Sequence, residues 1–246
     1  MKKTSKIIAL LSAVILTAAI FAGCSDSDPL VMATNAEFPP YEYYNENNEI
    51  VGIDVEIAQA IAKKLGKKLE IEDMPFDSIL AAVQSGKADI GVAGMTVTPD
   101  RLESVDFSDT YVKASQVIIV RKDNTEIKTP DDLVGKTIGV QLGTTGDIFA
   151  EEIDDVKLER YNKGFEAVQA LQQGKIDAVI IDDQPAAVFA SQNDDIMVID
   201  EPFTDEEYAI AVIKGNTALL NKINEAIKEL KESGELQRIF EKYIMN

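Results

Sequence analysis

The groups in this chain best suited to chemistry stand where apolar runs give way to polar residues. Asn35 and Phe38 follow the run Leu30-Val31-Met32-Ala33, Gly94-Met95-Thr96 follows Ile90–Ala93, and Asp182 follows Ala178–Ile181. Thr144 and Thr145 lie in a glycine turn after Thr137–Gln141, and Arg101 sits just inside a segment opened by Thr98-Pro99-Asp100. Together they offer a cation, hydroxyls, backbone amides, a carboxylate and an aromatic face. That set suits an α-amino acid. Its carboxylate calls for a bidentate guanidinium and helix N-terminal amides, its ammonium for a carboxylate with a hydroxyl or carbonyl oxygen. Each residue also has a plainer reading: Arg101 as a solvated surface arginine, Asp182 as a loop acid, Thr144 and Thr145 as helix caps, Phe38 and Phe76 as core.

Such groups need elements that hold them at one place, and the chain alternates strand and helix patterns from residue 30 onward. Ile57, Ile61 and Leu65 recur at helical spacing after Asp54, a candidate cap, and Gly66 can close that helix. Leu69–Ile71 reads as a strand, Phe76–Gln84 as a helix and Ile90–Ala93 as a strand. Thr98 then caps a helix with Pro99 at its first position, and Gln116–Val120 is a strand. The later segments are a short helix from Thr129, the strand Thr137–Gln141, the helix Phe165–Gln173 and the strand Ala178–Ile181. Ala209–Ile213 is a last strand, and Thr217 to Tyr243 a long helical region. This order implies βαβ units and largely parallel sheets, with ligands bound beyond the carboxyl ends of the strands. One pattern occurs twice: Gln84-Ser85-Gly86-Lys87-Ala88-Asp89 and Gln172-Gln173-Gly174-Lys175-Ile176-Asp177 each precede an apolar strand. Either good helix-to-strand loops look alike, or the chain has two similar α/β lobes.

Composition removes other functions. The 246 residues carry 43 Asp+Glu against 24 Lys+Arg, a formal charge of −19, with no histidine and a single cysteine. Without histidine there is no Ser-His-Asp or Cys-His catalysis and no HExxH zinc site. One cysteine forms neither an intrachain disulfide nor a CxxC clamp. So acidic a chain repels phosphate backbones, and no nucleic-acid partner is expected. Gly135-Lys136-Thr137 resembles the tail of a P-loop, but Pro130 stands where its first glycine belongs and Lys136 leads into a strand. Asn45–Glu49 lacks calcium-loop spacing and reads as a solvated hairpin loop. No metal and no cofactor are expected.

The start of the chain has a different character. Lys2, Lys3 and Lys6 precede an apolar stretch, Ile7 to Ala22, which as a helix would span roughly 24 Å, short of the ~30 Å hydrocarbon core. Basic residues followed by a short apolar run predict a secretory signal over 1–23. Phe21-Ala22-Gly23-Cys24 and the polar Ser25-Asp26-Ser27-Asp28 resemble the lipobox of bacterial lipoproteins, with Phe21 in place of the usual Leu. The resemblance implies diacylglycerol on Cys24, a linker over 24–28 and anchoring on the outer face of the cytoplasmic membrane.

Several motifs carry a second resemblance. Gly52-Ile53-Asp54-Val55-Glu56-Ile57 with Ile61-Ala62 and Leu65 is similar to the signature of solute-binding protein family 3, receptors of bacterial ABC importers for polar amino acids. Ala33–Tyr43, Ala93–Thr98, Asp106-Phe107-Ser108 and Gly143-Thr144-Thr145 resemble the same family in the same order. The resemblance implies a type II periplasmic-binding fold, α/β with two lobes joined by a two-segment hinge. Lobe one would hold 29–112 and 207–246, lobe two 113–206, with hinges near Tyr111–Ser115 and Thr204–Tyr208. It also implies a monomer that closes on a free L-amino acid and presents the closed form to the membrane subunits of a permease.

The same resemblance distributes the ligand. Phe38 and Phe76 would clamp it, and Arg101 would grip its α-carboxylate with help from Thr96 and the Thr145 amide. Asp182 and the Gly94 carbonyl would hold its ammonium. Where some members have an acid favouring cationic side chains, this chain has Asn35; Glu37, Glu42 and Gln141 remain to recognise a guanidinium or amide. The expected preference is arginine, then lysine or glutamine. Two other classes are compatible with the scaffold: an enzyme resembling cyclohexadienyl dehydratase, with Glu42 or Asp182 as general acid, and a ligand-sensing domain.

Overall fold

A computed structural model of the chain describes residues 28–199, 201–202 and 204–244. The predicted signal 1–23, Cys24 and the linker to residue 27 lie outside the described residues. The chain opens with β1 (Leu30–Thr34), β2 (Glu37–Phe38), β3 (Glu42–Tyr44), β4 (Ile50–Val51), α1 (Ile53–Lys64) and β5 (Leu69–Asp73). A 3-10 turn at Phe76–Ser78 leads into α2 (Ile79–Gln84), followed by β6 (Ile90–Gly91), α3 (Pro99–Ser104), β7 (Val105–Phe107), β8 (Val112–Ala114) and β9 (Gln116–Arg121). Next come β10 (Thr137–Gln141), α4 (Thr145–Glu151), β11 (Lys157–Tyr161), α5 (Gly164–Gln172), β12 (Ala178–Asp182), α6 (Asp183–Gln192) and β13 (Ile196–Ile199). The chain finishes with β14 (Glu206–Tyr208), β15 (Ala211–Ile213), α7 (Thr217–Glu232) and α8 (Glu235–Ile244).

These strands form two five-stranded sheets of matching design, ordered β5-β1-β6-β15-β7 and β11-β10-β12-β9-β13. In each, the first three strands run parallel and the last two are added antiparallel. The expectation of largely parallel sheets therefore holds for the βαβ half of each sheet only. Between the sheets the chain passes twice, and the two passes pair as β8 with β14. A three-stranded sheet, β2-β3-β4, flanks the first; its hairpin loop is held by Asn45 Oδ1, which accepts the N–H groups of Asn47 and Glu49, both at 2.9 Å.

The repeated sequence is a repeated structure. Gly86 (φ 73°) and Gly174 (φ 68°) end α2 and α5 in the left-handed region. The next lysine in each copy returns its N–H into the last helical turn, Lys87 to Ala82 O at 2.9 Å and Lys175 to Ala170 O at 3.0 Å. The aspartates then tie the third strand of each sheet to the second. Asp89 accepts Val31 N–H at 2.9 Å, and Asp177 accepts Thr137 N–H at 2.9 Å.

Burial explains the apolar runs. β12 is buried throughout, with Val179 and Ile181 on one face of the sheet and Ala178 and Ile180 on the other, where α4 packs. A strand covered on both faces reads as a continuous apolar run. In the first sheet α1 presents Ile57 and Ile61, and α7 Ile223 and Ile227, to one core, while Ile79 and Val83 of α2 cover the opposite face. Three local readings need correction. The 76–84 helix begins as a 3-10 turn, the strand at 90–93 is only Ile90–Gly91, and the region 217–243 is two helices parted at Ser233-Gly234. Among the described residues no helix is long and apolar enough to cross a membrane.

Candidate functional site

The loops that end β1, β6, β10 and β12 converge on a cleft between the two sheets. It is lined by Asn35, Phe38, Glu42, Phe76, Ala93, Gly94, Thr96, Arg101, Gln141, Thr144, Thr145 and Asp182. Every residue expected from the sequence to contact the ligand, except Glu37, is thus in one lining.

Arg101 is buried, only 7% exposed, although it lies in the first turn of α3. Thr98 caps that helix by accepting Arg101 N–H at 3.2 Å. The guanidinium donates from Nη1 to Thr96 O at 2.7 Å and from Nη2 to Gly143 O at 3.0 Å, and lies 5.3 Å from the centroid of the Phe76 ring. Its partners come from both sides of the cleft, yet among the described residues no carboxylate lies within ion-pair distance. Burial lowers its pKa while Glu206 and Asp182 oppose the shift. An arginine so placed has charge to spare for an anion.

Asp182, the last residue of β12, faces it from the other sheet and is also buried. It accepts the Tyr208 hydroxyl in a short hydrogen bond. Burial first, then the charges of Glu206 and Asp183, raise its pKa to about 7, against the lowering effect of hydrogen bonds from Tyr208 and Gln116.

A second acidic centre lies under Gly94. Asp54, which the sequence offered as a helix cap, caps nothing: Gly52 holds that position, and Asp54 is buried. Its carboxylate accepts Gly94 N–H at 2.7 Å and the Tyr111 hydroxyl at 2.8 Å. Burial raises it to about 6, less than it would without these donors and Glu42. Glu42 is 1% exposed, lines the cleft and has no hydrogen-bond partner for Oε2. Burial, then the charge of Asp54, raises its pKa well above the usual carboxylate range. Gly94 itself has φ +51°, and a Cβ there would meet the Phe38 ring at 2.8 Å, so only glycine lets that ring lie against the loop.

The remaining residues are paired within the protein. Asn35 donates to Met74 O and accepts from Gln141 Nε2, each at 2.8 Å, the latter across the cleft. Thr144 caps α4, accepting Asp147 N–H at 3.3 Å and donating to Gln141 O at 2.8 Å, so its plainer reading holds for the hydroxyl. Thr96 and Thr145 both donate to Glu206 Oε2, at 2.5 and 2.9 Å. The one proton of the Thr96 hydroxyl is therefore committed to Glu206. Glu37, expected near the ligand side chain, instead forms an ion pair with Lys163 across the cleft.

Sequence reasoning missed Glu206, Tyr208 and Gln116, all of which act from behind the lining. Asp54 carried a signal, an acid amid Ile53, Val55 and Ile57. Glu206 carried none, because Asp205-Glu206-Glu207 reads as an exposed acidic run.

The model of bacterial extracellular solute-binding proteins, family 3, matches residues 30–246. The arginine-binding extracellular protein ArtP of Bacillus subtilis (strain 168) is 38% identical over 224 residues, covering 89% of this chain and 87% of its own. An ancestral arginine-binding protein, solved bound to arginine, superposes with a TM-score of 0.85 at 44% identity, over 87% of this chain and 97% of that one. The ancestral amino acid-binding protein AncCDT-1, a precursor of cyclohexadienyl dehydratase, gives a TM-score of 0.83 at 38% identity, over 88% and 95%. Near-complete coverage at these identities shows that the chain belongs to the bacterial extracellular solute-binding proteins of family 3.

Proposed function

We propose that this chain is the substrate-binding component of an ABC importer and captures a polar L-amino acid, arginine ahead of lysine or glutamine. The observation that carries the reading is a buried guanidinium, Arg101, facing a buried acid, Asp182, across one cleft, neither neutralised by a salt-bridge partner among the described residues. A zwitterion supplies both missing charges. In this reading Arg101 and the Thr145 amide take the α-carboxylate, Asp182 and the Gly94 carbonyl take the ammonium, and Phe38 and Phe76 flank the side chain. Glu42 supports arginine: it lines the cleft and its Oε2 has no hydrogen-bond partner, so a guanidinium at that end would gain a carboxylate to pair with. Asn35 and Gln141 complete that end.

The mechanism is closure of one lobe, 29–112 with 207–246, on the other, 113–206, about the paired strands β8 and β14. Only the closed form lets residues of both lobes touch the ligand, and that difference in contacts drives closure. The closed face would then dock on a permease, with the monomeric chain held to the membrane through lipidated Cys24. An enzyme of the dehydratase type would use Glu42 or Asp182 as its acid; turnover of prephenate by the purified chain would favour it. A complete clamp for an intact amino acid supports capture rather than turnover.

Thermal-shift screening of residues 24–246, with Cys24 replaced, against all twenty amino acids tests the proposal. A ligand at a thousand times its Kd adds about 4 kcal/mol of stability. Arginine should give the largest shift, and silence from all twenty would sink the reading.

A further inference from the structure

Glu206 does not line the cleft, yet it touches the cleft's hydroxyls from both sides. It lies on β14, one of the two strands that connect the sheets, and is buried. Oε2 receives Thr96 Oγ1 at 2.5 Å and Thr145 Oγ1 at 2.9 Å, and Oε1 receives Thr204 Oγ1 at 3.4 Å. Thr96 stands in the loop after β6 on the first sheet, and Thr145 begins α4 on the second.

A threonine hydroxyl has one proton and two lone pairs, whereas a carboxylate only accepts. Both protons are thus committed to Glu206, and both hydroxyl oxygens turn lone pairs alone towards the cleft. Thr145 Oγ1 already accepts from Gln116 Nε2 at 3.2 Å, which leaves it one lone pair, whereas Thr96 Oγ1 keeps both for a ligand. Its neighbour across the lining, Asp182, also accepts. An ammonium satisfies both, while a ligand with hydrogen only, or with a keto oxygen, at that carbon leaves them desolvated and unpaired.

We infer that Glu206 is a positioning residue which, without touching the ligand, fixes the Thr96 hydroxyl as an acceptor and so makes the cleft select α-ammonium ligands over their deaminated counterparts. The inference rests on the amino-acid reading above and adds to it the group that sets the polarity of the site. A cross-lobe strut with no such role would alter the affinity for every ligand alike.

The test is a ratio. Titration calorimetry on the mature chain compares L-arginine with 5-guanidinopentanoic acid, which is the same molecule without its α-amino group. Glu206→Met keeps the volume and releases both hydroxyl protons; it should shrink the ratio of the two affinities at least about tenfold, the scale of one lost hydrogen bond to a charged group. Glu206→Gln, whose amide oxygen still accepts both hydroxyls, should keep the ratio within about threefold. Thr96→Val should reproduce the loss seen with Glu206→Met, and does not depend on that variant folding. An unchanged ratio in Thr96→Val, or a fall in both affinities in step in Glu206→Met, overturns the inference. Wild-type protein that binds no amino acid would instead bring down the reading on which it rests.

Discussion

Acidifying the solution should weaken ligand capture, and the structure sets the size of the effect. Asp182 is 5% exposed, and its burial, with Glu206 and Asp183 nearby, holds its pKa at about 7. It must be ionised to receive an ammonium. A group of pKa about 7 is roughly a tenth ionised at pH 6 and nine-tenths at pH 8, so binding should tighten about tenfold over that interval. The sign follows from proton counting. The empty site holds a proton below pH 7, the incoming cation displaces it, and a proton is released on binding, so affinity rises with pH until the ligand's own amine deprotonates. Glu42, raised well above the usual carboxylate range, adds in the same direction for a guanidinium ligand. Asp182→Asn should therefore reduce the slope without abolishing it for arginine. Calorimetry at pH 6, 7 and 8, in buffers of different ionisation enthalpy, reads both affinity and proton release. A Kd constant within twofold across this range, with no proton released, would refute the reasoning.

Three further perturbations probe separate parts of the cleft. Arg101→Met should weaken binding by at least ~2 kcal/mol, because the ligand carboxylate loses its charged partner while remaining desolvated; near wild-type affinity by calorimetry would remove Arg101 from the site. Glu42→Gln should weaken arginine about tenfold or more while changing glutamine far less, as a neutral amide gives up a charge-assisted pair; an equal loss for both in competition titrations would count against Glu42 as the side-chain acceptor. Gly94→Ala places a methyl at φ +51° and 2.8 Å from the Phe38 ring, and should cost about 1–3 kcal/mol of stability in urea unfolding, with weaker ligand binding.

What the sequence disclosed and what it hid divide along physical lines. Runs such as Ala178–Ile181 are legible because a strand buried on both faces has no polar side to show. The twin helix stops at Gly86 and Gly174 are legible because a left-handed turn demands glycine, and their aspartates stitch equivalent strands in each sheet. The antiparallel half of each sheet was not, since β9 and β15 find their partners across long chain separations that periodicity does not encode. The cleft lining could be assembled because ligand groups gather at strand ends. The layer behind it could not: Asp54 lay on an apolar helix face and looked like a cap, and Glu206 sat in an acidic run while its side chain turned inward between two threonines. Even the polarity of Thr96 depends on that hidden acid.

In the proposed reading, Arg101 and Asp182 together receive the two charges of one amino acid. Calorimetric titration of residues 24–246, Cys24 replaced, with L-arginine, beside its methyl ester and its deaminated analogue, decides the matter. Arginine should bind saturably and one-to-one, and each analogue should lose at least about 2 kcal/mol, since each leaves one buried charge unanswered. Equal affinity for all three, or no binding of any α-amino acid, would contradict it.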